Sequence, residues 1–178
     1  MSAQAGDVRE AVYLRPELPL HLEVQVLAFA RILWGDAFTG EDRVRDRMHD
    51  EPEAVHFVRT RGVLLISHVQ VMLVVIEPLP GTPLRIAGVG GVMTYPQFRR
   101  EGHASALMER AGTNIREGGF EIGMLFCDAE NVPFYAALGW QPLAPGRVEV
   151  ASRVTDDTVM TLGDASVLPP ILRLNDSW

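Results

Sequence analysis

The chain contains no lysine. All 16 of its basic residues are arginine, a pattern read here as genome composition rather than chemistry. It has one cysteine, Cys127, which excludes an internal disulfide and a cysteine-based metal site and suits a reducing compartment. Long apolar runs are missing too. The longest, residues 63–76, is interrupted by Ser67, His68 and Gln70 and is too short to span a bilayer. The N-terminus is polar and carries no signal-peptide core. Excess positive charge is absent: the formal charge is −7, which argues against nucleic acid as a partner and leaves a surface that tolerates cations. No repeat, low-complexity tract or linker divides the chain. The expectation is a cytoplasmic protein with no membrane partner, folded as a single domain over 1–178.

What is present fits that expectation. At 178 residues and 47% apolar content, the chain can bury a core of ordinary size. Residues 11–14 read as a strand. Leu22, Val26, Phe29, Ala30 and Leu33 recur at helical spacing and predict a helix over 19–33. Thr39 followed by Gly40-Glu41-Asp42 predicts a second, charged helix reaching about His49. Residues 55–60 and 63–76 read as a β-hairpin, 78–83 as a turn, and 84–94 as a further strand. A helix over 102–116 ends at Gly118-Gly119, and residues 120–127 form a buried strand. The strand–helix–strand order predicts a parallel, right-handed crossover. A short helix over 131–138 closes at Gly139, and short strands follow near Val148 and Val159. The fold class is α/β (α+β).

Two segments carry chemistry. In the first, the 84–94 strand runs into a turn holding Arg99, Gly102 and Ala104 at spacing R-x-x-G-x-A, and a helix starts inside that turn. The first N–H groups of a helix lack internal partners and sit at the positive end of its dipole, so they bind anions. Small side chains let a phosphate approach the backbone closely. The segment therefore reads as a diphosphate cradle. The second segment is Asn131-Val-Pro-Phe134-Tyr135-Ala-Ala-Leu138-Gly139-Trp140.

Together and in this order, R-x-x-G-x-A at a helix start, a buried strand and N-x-x-F-Y-x-x-L-G-W resemble the GCN5-related N-acetyltransferase superfamily. The motifs cover residues 84–142, the cofactor half, and the element order covers most of the chain. The resemblance implies a mixed, mostly antiparallel twisted sheet with two splayed central parallel strands, flanked by helices. It implies acetyl-CoA as co-substrate and no metal. Val92, Met93 and Thr94 would bond the pantetheine arm through their backbone. Arg99, Arg100, Glu101, Gly102, His103 and Ala104 would hold the pyrophosphate, Asn131 would contact the cofactor, and Tyr135 would protonate the departing thiolate. The chemistry has its own logic. Acyl transfer from a thioester needs a neutral amine, an oxyanion stabiliser and an acid for the leaving sulfur. Backbone N–H groups of Val92 or Met93 are candidates for the second need.

A narrower similarity, to aminoglycoside 2′-N-acetyltransferases, rests on Gly35-Asp36-Ala-Phe38-Thr39, Asp156-Asp157-Thr-Val-Met and the ending Asn175-Asp176-Ser-Trp178. It implies that Asp36, Asp42, Asp157, Asp176 and the terminal carboxylate of Trp178 bind a cationic polyamine, since several ammonium groups call for several carboxylates. The same similarity implies a glutamate on the 84–94 strand, recruiting a water as base. This chain has Gly90 there. The acceptor therefore stays open between an aminoglycoside-like polyamine, a small amine and a peptide N-terminus, with a catalytically silent acyl-CoA-binding module as the rival reading. The resemblance also favours a homodimer, with C-terminal edge strands pairing between subunits. His103 reads as a solvated first-turn side chain, His68 as a hydrogen-bonded structural residue and Cys127 as inert packing.

Overall fold

The computed structural model describes residues 7–35, 38, 53–79, 82–150, 153–154 and 156–174. Strand β1 (Val8–Leu14) leads to helix α1 (Leu20–Leu33), then β2 (Val55–Arg61), β3 (Leu64–Leu79) and β4 (Thr82–Thr94). Helix α2 (His103–Glu117), β5 (Ile122–Cys127) and the short α3 (Val132–Ala136) follow. The chain closes with β6 (Gln141–Pro142), β7 (Val148–Val150), β8 (Arg153–Val154), β9 (Thr158–Leu162) and β10 (Leu172–Leu174). The helix expected over 39–49 lies outside the described residues.

Hydrogen bonding links seven strands in the order β1-β2-β3-β4-β5-β9-β6. β1 and β2 are antiparallel over seven pairs, from Val8↔Arg61 to Leu14↔Val55. β4 and β5 are parallel, as the strand–helix–strand order requires, but their ladder has only three pairs, Ile86↔Ile122 to Gly88↔Met124. It stops there although β4 continues to Thr94 and β5 to Cys127; along its other edge β5 pairs antiparallel with β9, from Gly123↔Leu162 to Cys127↔Thr158. This mixed, mostly antiparallel sheet with helices is the expected fold class. A second sheet, β10-β7-β8, was not foreseen: β10 pairs parallel with β7 in the same chain, Leu172↔Val148 to Leu174↔Val150.

The chain groups into two compact units, Met1–Gln70 with Gly91–Met108 and Val71–Gly90 with Glu109–Trp178, so β3 and β4 each run through both. In the first unit α1 buries Leu22, Val26, Phe29 and Ala30, one stripe at helical spacing, with Leu18, Val58, Leu65 and Met93. Each fully buried aliphatic of this kind contributes about 1.5–3 kcal/mol. In the second unit Leu84, Ile86, Ile122, Met124, Val159 and Leu172 form the centre of a separate cluster. Leu172 and Leu174 of β10 both enter that cluster, which is why this short strand is held within the chain. Among the described residues no helix is long and apolar enough to cross a membrane.

Candidate active site

In the first unit, the turn after β4 has the backbone that an anion cradle needs. After the 3-10 turn Pro96–Phe98, Arg99 is extended. Arg100 and Gly102 then take left-handed φ of 66° and 77° on either side of Glu101. Alternating handedness aims successive N–H groups into one concavity, immediately before α2 begins at His103. Beyond its chain neighbours, a Cβ built on Gly102 would meet nothing within 4 Å among the described residues, so glycine is there for its φ and for the open space above it. Arg99, Arg100, Glu101 and Gly102 are exposed, and Ala104 is half-buried. The Arg99 Nε donates to the Thr94 carbonyl at 3.2 Å, which folds this side chain back over the end of β4.

His103 departs from the sequence-based expectation of a solvated side chain, because it is buried. Its Nδ1 lies 3.3 Å from Nη1 of Arg59 and its Nε2 lies 3.3 Å from Oε2 of Glu101. A guanidinium only donates, so Nδ1 accepts and the Nε2–H faces the carboxylate. Arg61 of β2 places its guanidinium 4.9 Å from the Phe98 ring centroid, within cation–π range. Arg59 and Arg61 were not singled out from sequence. They are 42 or more residues from the start of α2 along the chain and reach the turn only because of the fold.

Val92 and Thr94 are half-buried and Met93 is buried on β4. Just before them, Gly91 has φ 57°, a left-handed residue inside a strand as at a glycine bulge. A Cβ on Gly91 would come to 3.0 Å from Cε1 and Nδ1 of His68, a tighter approach than most real side chains make. His68 Nδ1 is 2.8 Å from the Gly91 carbonyl oxygen, and His68 Nε2 is 2.9 Å from His56 Nδ1. Both rings are fully buried. Burial pushes His56 down to about 3, with help from His68 and Arg15. Burial also pushes His68 down to about 4, against the Gly91 hydrogen bond. The expectation that His68 is a hydrogen-bonded structural residue agrees with these contacts, but its histidine partner was not foreseen.

These depressed values have a consequence for stability. Unfolded histidines titrate near 6.5, so between that value and the folded ones only the unfolded chain takes up protons. The stabilisation is complete above about pH 6.5 and is lost as pH falls toward 4 and then 3. At about 1.36 kcal/mol per pH unit, moving from pH 8 to pH 5 costs on the order of 2 kcal/mol per histidine. Urea midpoints at the two pH values should show this drop, and His68→Asn should flatten it.

In the second unit, α3 carries Tyr135 into a buried position, in edge-on contact with Phe134 at 4.9 Å between ring centroids. Pro133 near the start of α3 presets the helical φ, and the Leu138 and Trp140 amides both donate to the Tyr135 carbonyl, at 3.0 and 3.2 Å. The residue is thus held from both sides in sequence. Burial first, then Cys127 and Asp128, push the phenol up to about 12. Burial, Asp128 and Asp157 likewise push the Cys127 thiol up, which keeps it protonated and agrees with inert packing. Asn131 is exposed at the end of the 3-10 turn Ala129–Asn131, and its side chain makes no capping bond to α3.

Of the expected acceptor ligands, Asp157 is exposed on the bend before β9, with its charge felt at Cys127. Asp36, Asp42, Asp176 and Trp178 lie outside the described residues. Asp128, missed from sequence, is brought to the same place by the start of the 3-10 turn after β5. At Gly90 a Cβ would meet, among the described residues, only the Met72 side chain, at 3.5 Å, so packing does not demand glycine where a base was expected.

Known proteins share this fold. Residues 26–143 match the profile of the acetyltransferase (GNAT) domain family, a span that includes the turn, β5 and α3. No curated protein sequence matches the chain. Among solved structures, an acyl-CoA N-acyltransferase from Pseudomonas aeruginosa superposes with a TM-score of 0.61 at 15% identity, covering 87% of this chain and 99% of that one. FeeM, an N-acyl amino acid synthase from uncultured soil microbes, gives 0.62 at 13% identity over 88% and 92% of the two chains. An aminoglycoside 6′-N-acetyltransferase complexed with coenzyme A gives 0.60 at 13% identity over 86% and 96%. At these identities the structures speak for the fold, and the profile, which spans well over half the chain, speaks for the family: the chain belongs to the GNAT acetyltransferases and is an N-acetyltransferase.

Proposed function

We propose that this N-acetyltransferase, one domain over 1–178, moves an acetyl group from acetyl-CoA to a primary amine of a cationic small molecule by direct attack in a ternary complex. The observation that carries this reading is Tyr135, buried and kept protonated up to about 12, as an acid must be before the sulfur departs. The residues of the turn fit a diphosphate. Two left-handed residues, Arg100 and Gly102, precede a helix start with open space over the glycine, and Arg99 and Arg100 add charge. Val92, Met93 and Thr94 would bond the pantetheine arm, Asn131 would contact the cofactor, and a Val92 or Met93 N–H would stabilise the oxyanion. Acetyl-CoA supplies the activated acyl group. The chain supplies the donors that hold it and the proton for its sulfur.

Asp128 and Asp157 support a cationic acceptor, since both raise the Cys127 thiol and Asp128 also raises Tyr135. Acetylation of an aminoglycoside-like polyamine is the reading they favour over a lone amine or a peptide N-terminus. The buried single thiol suits a cytoplasmic setting. A homodimer belongs with this reading, supported by the edge strand β1 with Val8, Val12 and Leu14 exposed. Thiol release from acetyl-CoA over a panel of amines tests the acceptor. Kanamycin- and gentamicin-type polyamines should turn over fastest, and Asp157→Asn should raise their KM about threefold to tenfold without changing that of acetyl-CoA. Equal rates with simple monoamines would remove the polyamine assignment.

A further inference from the structure

The hydrogen bonds of the buried histidine pair have a direction that the heavy-atom geometry determines. A carbonyl oxygen only accepts, so His68 must hold its proton on Nδ1, 2.8 Å from the Gly91 oxygen. A neutral His68 then presents a bare Nε2, which accepts from the Nδ1–H of His56 at 2.9 Å. The Nε2 of His56 is left as a lone pair, buried with no partner among the described residues. The chain runs from His56 through His68 to the Gly91 carbonyl and ends on a peptide group. Such a chain cannot pass a proton on, because the carbonyl oxygen is not a base. It can only orient and polarise the peptide it touches.

That peptide is the one between Gly91 and Val92, and its other end is the Val92 N–H. A donor on the carbonyl oxygen draws the nitrogen lone pair into the amide and makes the N–H a stronger donor, by roughly 10–30% per bond in a chain of this type. The His68 ring also packs against the left-handed Gly91, with Cε1 and Nδ1 both at 3.0 Å from where a Cβ would sit. The ring thus fixes the peptide's orientation as well as its charge. Packing alone is a poor account of the pair: an apolar side chain at position 56 would fill the same space without burying the unpaired Nε2 that His56 brings.

We infer that His56 and His68 are positioning residues: their directed hydrogen-bond chain sets and polarises the Gly91–Val92 peptide so that the Val92 N–H meets the oxyanion formed during acetyl transfer. This rests on the reading of Val92 as an oxyanion donor, and the test separates the two. In the wild-type protein, imidazole nitrogen-15 shifts should show Nδ1 protonated in both rings. An Nε2–H tautomer of His68 overturns the inference with no variant needed. In His68→Leu, which has no donor, the Val92 amide proton should move upfield in the ligand-free protein. Its kcat should fall about tenfold, with the KM for acetyl-CoA within twofold. His68→Asn, which keeps a side-chain N–H near the Nδ1 position, should recover most of both. His56→Phe should shift the Val92 amide the same way by less. An unmoved Val92 resonance, or equal losses in the Asn and Leu variants, overturns the inference. A moved resonance with unchanged kcat overturns the oxyanion role of Val92 and with it the catalytic half of the proposal.

Discussion

Tyr135→Phe should lower kcat by about 100-fold or more while leaving the KM for acetyl-CoA within twofold, because general acids of this kind contribute about 10²–10⁴. The substitution removes one oxygen and keeps the ring, its burial and its edge-on contact with Phe134, so stability and donor binding have little reason to change. A loss confined to kcat is the mark of an interaction made in the transition state. The raised value of about 12 shapes the chemistry further. A thiol ionises near 8.5, so the phenol holds its proton more tightly than the sulfur it serves. Its donation therefore tightens as charge builds on the leaving sulfur, and no tyrosinate accumulates. The sign for pH follows: Tyr135 stays protonated below its value, so its ionisation should cost no activity up to about pH 11. Steady-state rates between pH 7 and 11 check this in the wild type. Unchanged turnover in Tyr135→Phe would remove Tyr135 as the acid, whereas a wild-type loss centred near 10 would remove only the raised value.

How much of this was legible in the sequence depends on how local each feature is. Helix α1 was readable because Leu22, Val26, Phe29 and Ala30 repeat along one chain segment, and all four are buried. The turn that opens α2 was readable because its R-x-x-G-x-A spacing sits within six residues. The left-handed φ of Arg100 was not, since a side chain as large as arginine rarely adopts it and nothing in the local sequence announces it. His56 and His68 are twelve residues apart on different strands, and their bond depends on strand register and on a tautomer set by Gly91. Neither is written in the hydrophobic pattern. The same holds for Arg59 against His103: a helix's first turn is normally wet, and only the arrival of β2 made this histidine a buried one. β10 is three residues long, and although Pro169-Pro170 marks a turn before it, its parallel partner β7 is more than twenty residues away. Asp128 went unnoticed because one carboxylate after a strand is ordinary until Tyr135 and Cys127 are known to feel it.

Gly102→Val should act on the other half of the kinetics. At φ 77° a β-branched residue is held in a region it avoids, at a cost of about 1–3 kcal/mol. Apart from its chain neighbours, no atom of the described residues lies within 4 Å of the new Cβ, so the fold is not pushed apart by a clash. The valine relieves its strain by turning the Gly102 peptide toward negative φ, which spoils the alternation with Arg100, and its methyl groups occupy the open side where a phosphate would approach. Losing one charge-assisted backbone hydrogen bond costs about 1.5–3 kcal/mol, a factor of roughly 10–100 in affinity. The KM for acetyl-CoA should therefore rise by about that factor, with kcat at saturation within threefold of the wild type, and direct titration with CoA should show the same loss. Gly102→Ala, which has the strain but little of the bulk, should fall between the two. If CoA binds the valine variant as tightly as the wild type, the turn is an ordinary strand-to-helix connection and the donor must be held elsewhere. If binding is lost while Tyr135→Phe keeps its affinity and loses only turnover, then holding the diphosphate and protonating the sulfur are separate tasks of separate residues.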